Sequence, residues 1–325
     1  MRYIVTEEGL ANLGSYWPAE KYSLNWPIFV CPGWLQVWWQ VFGAGAELCL
    51  RAVREGEKII GIAPLMLKEK TAFIIGSADV CDYLDFITVP GMESDFFGAL
   101  LDDLRERGIN HLDLNPVRAD ATVLTRLAEI ARQRGYEVIS TPEDISLEMD
   151  LPSTWEEYLE ILTTKQRHEV RRKLRRLMTS GRVDYHFIEN KEAVRDAMGT
   201  FFRLFTESRQ DKADFLTTRM ASFFRLLAET LAGAGLLRLG VLELDHKPTA
   251  MIICFDYHDC VYLYNSGYDP AYNYLSAGLL SKALGIKDSI ERGRKRFDFL
   301  KGAEPYKYHL GGREVPLYRC RITLK

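Results

Sequence analysis

The stretch "FDFLKGAEPYKYHLGG", residues 297–312, gathers Lys301, Glu304 and Lys307 beside Tyr306, Tyr308 and His309, in a loop broken by glycine and proline. A carboxylate or imidazole there could take a proton from an amine. A lysine ammonium could steady an oxyanion or a leaving group. The same composition also suits a plain solvated loop. Upstream, "YNYLSAGLLSKALGIKDSIERG" opens a helix on Ser276, Ala277 and Gly278, with no acid in its first turn. The free N–H groups and positive end of such a helix suit an anion, and small residues let a phosphate come close. Ser276 as an ordinary N-cap is the competing reading. The preceding "VYLYNSGYD", which includes Tyr264 and Ser266, alternates as a strand. Its main chain could hold an extended amide-containing arm, or simply belong to a sheet.

A third feature is the helix predicted over residues 163–181, "TTKQRHEVRRKLRRLMTSG". It carries Lys165, Arg167, Arg171, Arg172, Lys173, Arg175 and Arg176 against a single acid, Glu169. Like charges at i, i+4 repel, and an anionic partner would offset that: a nucleotide-linked substrate, tRNA or a cofactor phosphate. A solvated face paired with acidic surface is the alternative. The net charge of −3 hides an asymmetry, since residues 1–160 hold 13 Lys+Arg and 26 Asp+Glu while residues 161–325 hold 29 and 19. The second half is therefore the one suited to an anionic ligand. Six cysteines are scattered without CxxC spacing, which points to reduced thiols and no zinc site. His111, His168, His186, His246 and His258 stand alone, and no metal is expected. There is no GxSxG, P-loop, HExxH or GxGxxG. No signal-like segment and no run of about 18 apolar residues is present, so a cytoplasmic chain without a membrane span is expected.

The elements that must position these residues occur twice. "ERGINHLDL" (106–114) and "ERGRKRFDF" (291–299) share Glu-Arg-Gly followed by apolar-Asp-apolar. Upstream of each lies a hairpin pattern, "ELCLRAVREGEKIIGIAPLML" turning at Glu55–Lys58 and "LLRLGVLELDHKPTAMIICFDY" turning at Asp245–Pro248. A further strand, "YLDFITVP" or "VYLYNSGY", and a helix ending at Gly108 or Gly293 complete each copy. In the first copy Glu93 and Asp95 occupy the helix start and would repel a phosphate. Three helices front the second copy: 163–181 with a Thr163/Gln166 capping box, 191–209 and 217–232. The chain therefore reads as an α/β (α+β) protein of two similar units, residues 1–150 and 151–325.

"GYDPAYNYLSAGLLSKALGIKDSIERGRKRFDFLKGAEPYKYHLGG" resembles the C-terminal signature of Fem-like members of the GNAT acyltransferase superfamily, and is similar to the BioF2-like (CelD-type) acetyltransferase domain. The features that carry this are G-Y-D-x-x-Y, S-x-G-x-L-L, E-R-G-x-x-x-F-D-F and G-x-E-x-Y-K, together with the basic "KQRHEVRRKLRRL" helix. The resemblance implies tandem GNAT-like units with mixed sheets flanked by helices, a degenerate first unit and a working second one. It implies that Ser276, Ala277 and Gly278 hold the pyrophosphate of an acyl-CoA such as acetyl-CoA, and that Tyr262–Ser266, with Tyr264, hold the pantetheine arm. It implies that Lys307, after Tyr306, stabilises the transition state. The superfamily's Q/R-x-x-G-x-G/A motif is reduced here to "NYLSAGLL". The activity expected is N-acyl transfer from acyl-CoA to an amine on a cell-envelope or exopolysaccharide precursor. Glu304 is the candidate base and Lys165, Arg167 and Arg171 the candidate acceptor contacts; the acceptor is a small or nucleotide-linked molecule. Aminoacyl-tRNA-dependent Fem-type peptidyl transfer is an alternative, and a non-enzymatic module binding an anionic glycan precursor is another.

Overall fold

The computed structural model describes residues 3–17 and 23–325. In chain order the first elements are β1 (Ile4–Glu7), α1 (Pro32–Phe42), β2 (Glu47–Glu55), β3 (Lys58–Lys68), β4 (Thr71–Ile74), β5 (Ile87–Thr88), α2 (Glu93–Glu106), β6 (His111–Arg118), α3 (Ala128–Gln133) and β7 (Glu137–Asp150). Then come α4 (Trp155–Ile161), α5 (Thr164–Met178), β8 (Val183–Ile188), α6 (Lys191–Ser208), α7 (Gln210–Phe215), α8 (Thr218–Gly233), β9 (Leu237–Leu244) and β10 (Lys247–Tyr257). The remainder is β11 (Cys260–Tyr268), α9 (Ala277–Glu291), β12 (Arg296–Lys301), α10 (Pro305–His309) and β13 (Arg313–Thr323).

Local chemistry explains most of these boundaries. Gly56 at φ +62° closes the β2–β3 hairpin, and Asp245 and His246, both left-handed, close β9–β10 in two residues. Gly108 and Gly293 follow α2 and α9 with φ near +70° (72° and 71°), the left-handed exit that glycine makes without strain. Thr163 and Gln166 form the reciprocal capping box that starts α5.

The chain divides into two compact units, one comprising the chain up to Ile145 together with Val315–Lys325, the other Ser146–Glu314. The expected boundary at 150/151 thus differs in two ways: it falls a few residues earlier, and the segment after Glu314 returns to the first unit. The repeat is explicit in the strand order. The first unit runs β1-β2-β3-β4-β6-β13 and the second β8-β9-β10-β11-β12-β7. In each, every neighbour pair is antiparallel except one: β4–β6 in the first and β11–β12 in the second are parallel. This corrects the assignment of "YLDFITVP" as the counterpart of β11. That stretch holds only the two-residue β5, paired to β3, and the true counterpart is β4, whose four residues bridge β3 and β6.

In the second unit α9 packs on one sheet face and α6 with α8 on the other. Gly285 of α9 sits over Ile252, while Phe224 of α8 meets Tyr264 and the α6 backbone lies against Gly267. Phe201, Phe205 and Phe223 are fully or almost fully buried on that second side. Burial of such rings is the main stabilising term for the unit. Arg238 of β9 anchors α9: it is 4% exposed, stacks 3.8 Å over Phe187, and pairs with Glu189 (2.7 Å) and Asp288 (2.5 Å). All six cysteines are buried free thiols. No helix among the described residues is long and apolar enough to cross a membrane.

Candidate active site

Strands β11 and β12 start side by side and then part. Their parallel ladder covers only Cys260–Tyr262 against Arg296–Asp298, although β11 runs on to Tyr268 and β12 to Lys301. Two irregularities drive the separation. The β10–β11 register slips by one residue between Asn265 and Leu263, with Tyr264 at the slip, its ring 5.0 Å from Phe255 and 5.9 Å from Phe224. On β12 the register slips after Asp298, whose buried carboxylate accepts the Leu300 N–H at 2.7 Å and holds Leu300 at φ +62°. A wedge therefore opens between the carboxyl ends of two parallel strands, where open α/β sheets place ligands.

At the wide end of the wedge stands the start of α9. Ser276 is left-handed (φ 59°) and its hydroxyl does not cap the helix. Instead Ser276 Oγ accepts from Arg176 Nη2 of α5 at 3.4 Å, and the buried Arg176 Nε has no hydrogen-bond partner among the described residues. A cation and an uncapped helix start thus meet at one point. The small residues have another cause than the one expected. Ala277 is buried in a cluster with Leu177, Leu242 and Leu280, and a Cβ on Gly278 would lie 2.6 Å from the Tyr268 ring. Their size is accounted for by packing rather than by an approaching phosphate.

Lys307 also departs from its expected role. It is 2% exposed, and its Nζ donates to the carbonyls of Leu300 (2.9 Å), Lys301 (2.6 Å) and Gly302 (3.0 Å), with Glu304 Oε2 also 2.9 Å away. An ammonium has three protons, and all three are used on the loop. Lys307 therefore shapes the end of β12 instead of facing an oxyanion. Glu304, the expected base, lies against that ammonium.

Two lysines complete the wedge and were not singled out in the sequence. Lys282, on the second turn of α9, is 4% exposed; its Nζ donates to the Gly278 carbonyl at 2.6 Å and lies 4.8 Å from the Tyr306 ring centroid. Lys212, on α7, donates to the Ser266 carbonyl at 2.5 Å and lies 4.8 Å from the Phe205 ring. Tyr306 and Ser266, both expected at the site, each lie against one of these lysines. Burial pushes the Lys282 ammonium down to about 7; the charge of Lys212 adds to this, Glu304 and Cys254 oppose it, and Lys307 contributes least. Burial, then Arg209, pushes Lys212 down to about 8. Position offered a signal for Lys282: it falls i+4 from Gly278 and i−4 from Ile286, on the buried face.

These shifts carry a stability consequence. An unfolded lysine titrates near ~10.4. Between pH about 7 and about 10 Lys282 therefore holds fewer protons folded than unfolded, so its own contribution to stability rises with pH across that window. Buried thiols such as Cys31 and Cys254, pushed up to about 12, pull the other way, so the readout is a difference: in calorimetric scans from pH 7 to 9.5 the Tm of the wild type minus that of Lys282→Met should climb. A constant difference would show that Lys282 is charged throughout.

The basic face of α5 is only partly directed at a site. Lys165 lines a cavity of about 630 Å³ with Gln166, Lys173, Leu279, His309 and Leu310. Arg167 is instead paired with Glu160, and Arg171 is exposed. Gln166 Nε2 donates to the Tyr308 carbonyl at 3.1 Å, joining α5 to α10. In the first unit Glu93 and Asp95 fill the first turn of α2, and Glu93 accepts the Gly91 N–H at 3.0 Å.

Comparison with known proteins then settles the class of the domain. Residues 164–308 match the sequence family described as acetyltransferase (GNAT) domain. This stretch is a GNAT domain. The match makes this stretch an acyltransferase domain, and solved structures share the fold along nearly the whole length. FemX superposes with a TM-score of 0.68 at 12% identity, covering 98% of this chain and 97% of that one. L-PGS from Bacillus licheniformis gives 0.55 at 10% identity, covering 90% of each chain, and a tandem GNAT protein from the clavulanic acid biosynthesis pathway gives 0.50 at 12%, covering 98% of each. No curated protein matches. The fold is thus a Fem-like mixed α/β arrangement with the GNAT domain in the second unit. Among the described residues no group of His, Cys, Asp or Glu is placed to hold a metal ion.

Proposed function

We propose that the GNAT domain transfers an acyl group from an acyl-CoA thioester to an amine on a cell-envelope or exopolysaccharide precursor, at the wedge between β11 and β12. The observation that carries this is the ending of their ladder at Tyr262–Asp298, which leaves the side of β11 away from β10, at Ser266 and Tyr268, open to an amide-bearing arm. Arg176 and the uncapped start of α9 supply positive charge for the donor's phosphates. In the reaction the amine nitrogen bonds to the thioester carbon and the C–S bond breaks. The leaving thiolate takes a proton, and the amine's proton leaves through Glu304 or water held by it. Main-chain N–H groups of β11 steady the transient oxyanion. Lys165 and the cavity beside it receive the anionic part of the acceptor.

Aminoacyl-tRNA as donor is the second reading. It is favoured by Lys212, which already occupies the Ser266 carbonyl that a pantetheine amide would use, and by the exposed cations of α5. Thermal shift of the whole chain separates the two. Acetyl-CoA is expected to raise Tm, and Arg176→Gln to remove that rise; this variant leaves the Gly278–Tyr268 packing intact. A salt-sensitive rise with aminoacyl-tRNA and none with CoA would move the donor to the second reading.

A further inference from the structure

The wedge contains more positive charge than its own residues neutralise. Lys212, Lys282 and Lys307 share one carboxylate, Glu304; Lys212 also feels Asp211, which Arg209 pairs at 2.8 Å. Lys307 is fully engaged by three carbonyls and by Glu304. Lys212 and Lys282 are not. Among the described residues each donates one hydrogen bond, to Ser266 and to Gly278 respectively. In the protonated form that leaves two N–H groups on each, four in all. Lys282 does not snorkel to solvent as a lysine on a helix normally does; it is 4% exposed and lies 4.8 Å from the Tyr306 ring centroid. A buried ammonium held by one carbonyl and one ring face is under-satisfied and costly, and a methionine would fill the same space without that cost. The arrangement makes physical sense when a resident anion joins the pair.

The two lysines also come from opposite faces of the sheet. Lys282 stands on α9, packed on the Ile252 face; Lys212 stands on α7, which follows α6 on the Gly267 face. They converge at the carboxyl end of β11, next to the main chain assigned to the reacting group. A carboxylate has two oxygens and about four acceptor positions, the number of N–H groups on offer. The donor's phosphates have their own cation, Arg176, at the start of α9.

We propose that Lys212 and Lys282 form a subsite for a carboxylate carried by the acyl acceptor, so that the acceptor is an amine with an acidic group of the amino-acid kind. The assignment to the acceptor rests on the reading of the wedge as the transfer site; the anion subsite itself does not.

The test begins with binding alone. At pH 7.5, sodium acetate is titrated against sodium chloride at matched ionic strength, and the melting of the intact chain is followed. Acetate is expected to add about 3 °C beyond chloride near saturation. Lys282→Met, which keeps the volume, and Lys212→Gln, at a half-buried position, should each abolish the difference. Equal responses to acetate and chloride, or an acetate response that survives both substitutions, overturn the subsite. A response to inorganic phosphate but not acetate overturns the carboxylate assignment. With an amino acid as acceptor and acetyl-CoA as donor, both variants should raise the acceptor KM about tenfold with kcat little changed. A loss confined to kcat would place the lysines on the transition-state oxyanion and overturn the proposal. Acetate binding without any acyl transfer would leave the subsite standing and remove the transfer reading, so the two failures are distinct.

Discussion

Lys307→Met will destabilise the second unit by about 3–5 kcal/mol, and transfer activity will fall with it. The magnitude follows from the partners left behind. The carbonyls of Leu300, Lys301 and Gly302 all turn onto one ammonium in a site that is 2% exposed. Removing a buried charged partner strands each of them at about 1–3 kcal/mol, with partial relief where water reaches the loop. The Glu304 side chain is 40% exposed as a whole, but its Oε2, 2.9 Å from the ammonium, is buried and loses its partner as well. Leu300 (φ +62°) and Gly302 (φ +102°) sit in left-handed conformations that the lysine holds in place. The loop from residue 300 to 310 should therefore lose protection in hydrogen exchange, and urea unfolding should begin earlier. The contrary result is specific: if Lys307→Met unfolds at the wild-type urea concentration while turnover vanishes, the ammonium acts on the reaction and not on the loop.

Gly267→Ala is expected to cost about 3 kcal/mol or more, because the obstacle is backbone and cannot rotate away. The added Cβ would lie 2.3 Å from the Phe205 nitrogen and 2.5 Å from the Leu204 carbonyl carbon. Helix α6 would have to lift from β11, exposing Phe201 and Phe205, and α7 would carry Lys212 away from Ser266. Gly199 provides the control on the same helix. Nothing lies within 4 Å of a Cβ there, so Gly199→Ala should stabilise by about 0.5–1 kcal/mol through helix propensity. Thermal melts of the two single variants decide it; a Gly267→Ala protein that melts with the wild type would refute the close approach of α6.

What could be read from the sequence was what is decided locally. The hairpin turns, the Thr163 capping box and the glycines ending α2 and α9 depend on a few adjacent residues, and each fell where the pattern put it. The repeated order of elements was legible for the same reason. β4 was not, since "TAFI" is only four residues long and is held between the end of β3 and, in parallel, His111 and Leu112 far along the chain. The reverse error befell "YLDFITVP", whose alternation forms a strand over only Ile87–Thr88, against β3. At the site, the smallness of Gly278 was visible but its cause, the Tyr268 ring, was not. The engagement of Lys307 was hidden because its partners are carbonyls of its own loop. Nothing in "QDKADF" marked Lys212, whose only distinction is where α7 leaves it.

The returning segment Val315–Lys325 bears on how the chain is made. β6 ends at Arg118, yet the strand that pairs with it begins only at Arg313. During synthesis the first unit must wait with that edge of β6 bare while the entire GNAT domain is translated, and an exposed edge is a template for wrong pairing. The acidic first half emerges first, and its sixth strand joins only when the second half is complete. Folding of the earlier unit thus becomes a report on whether the later one has been delivered.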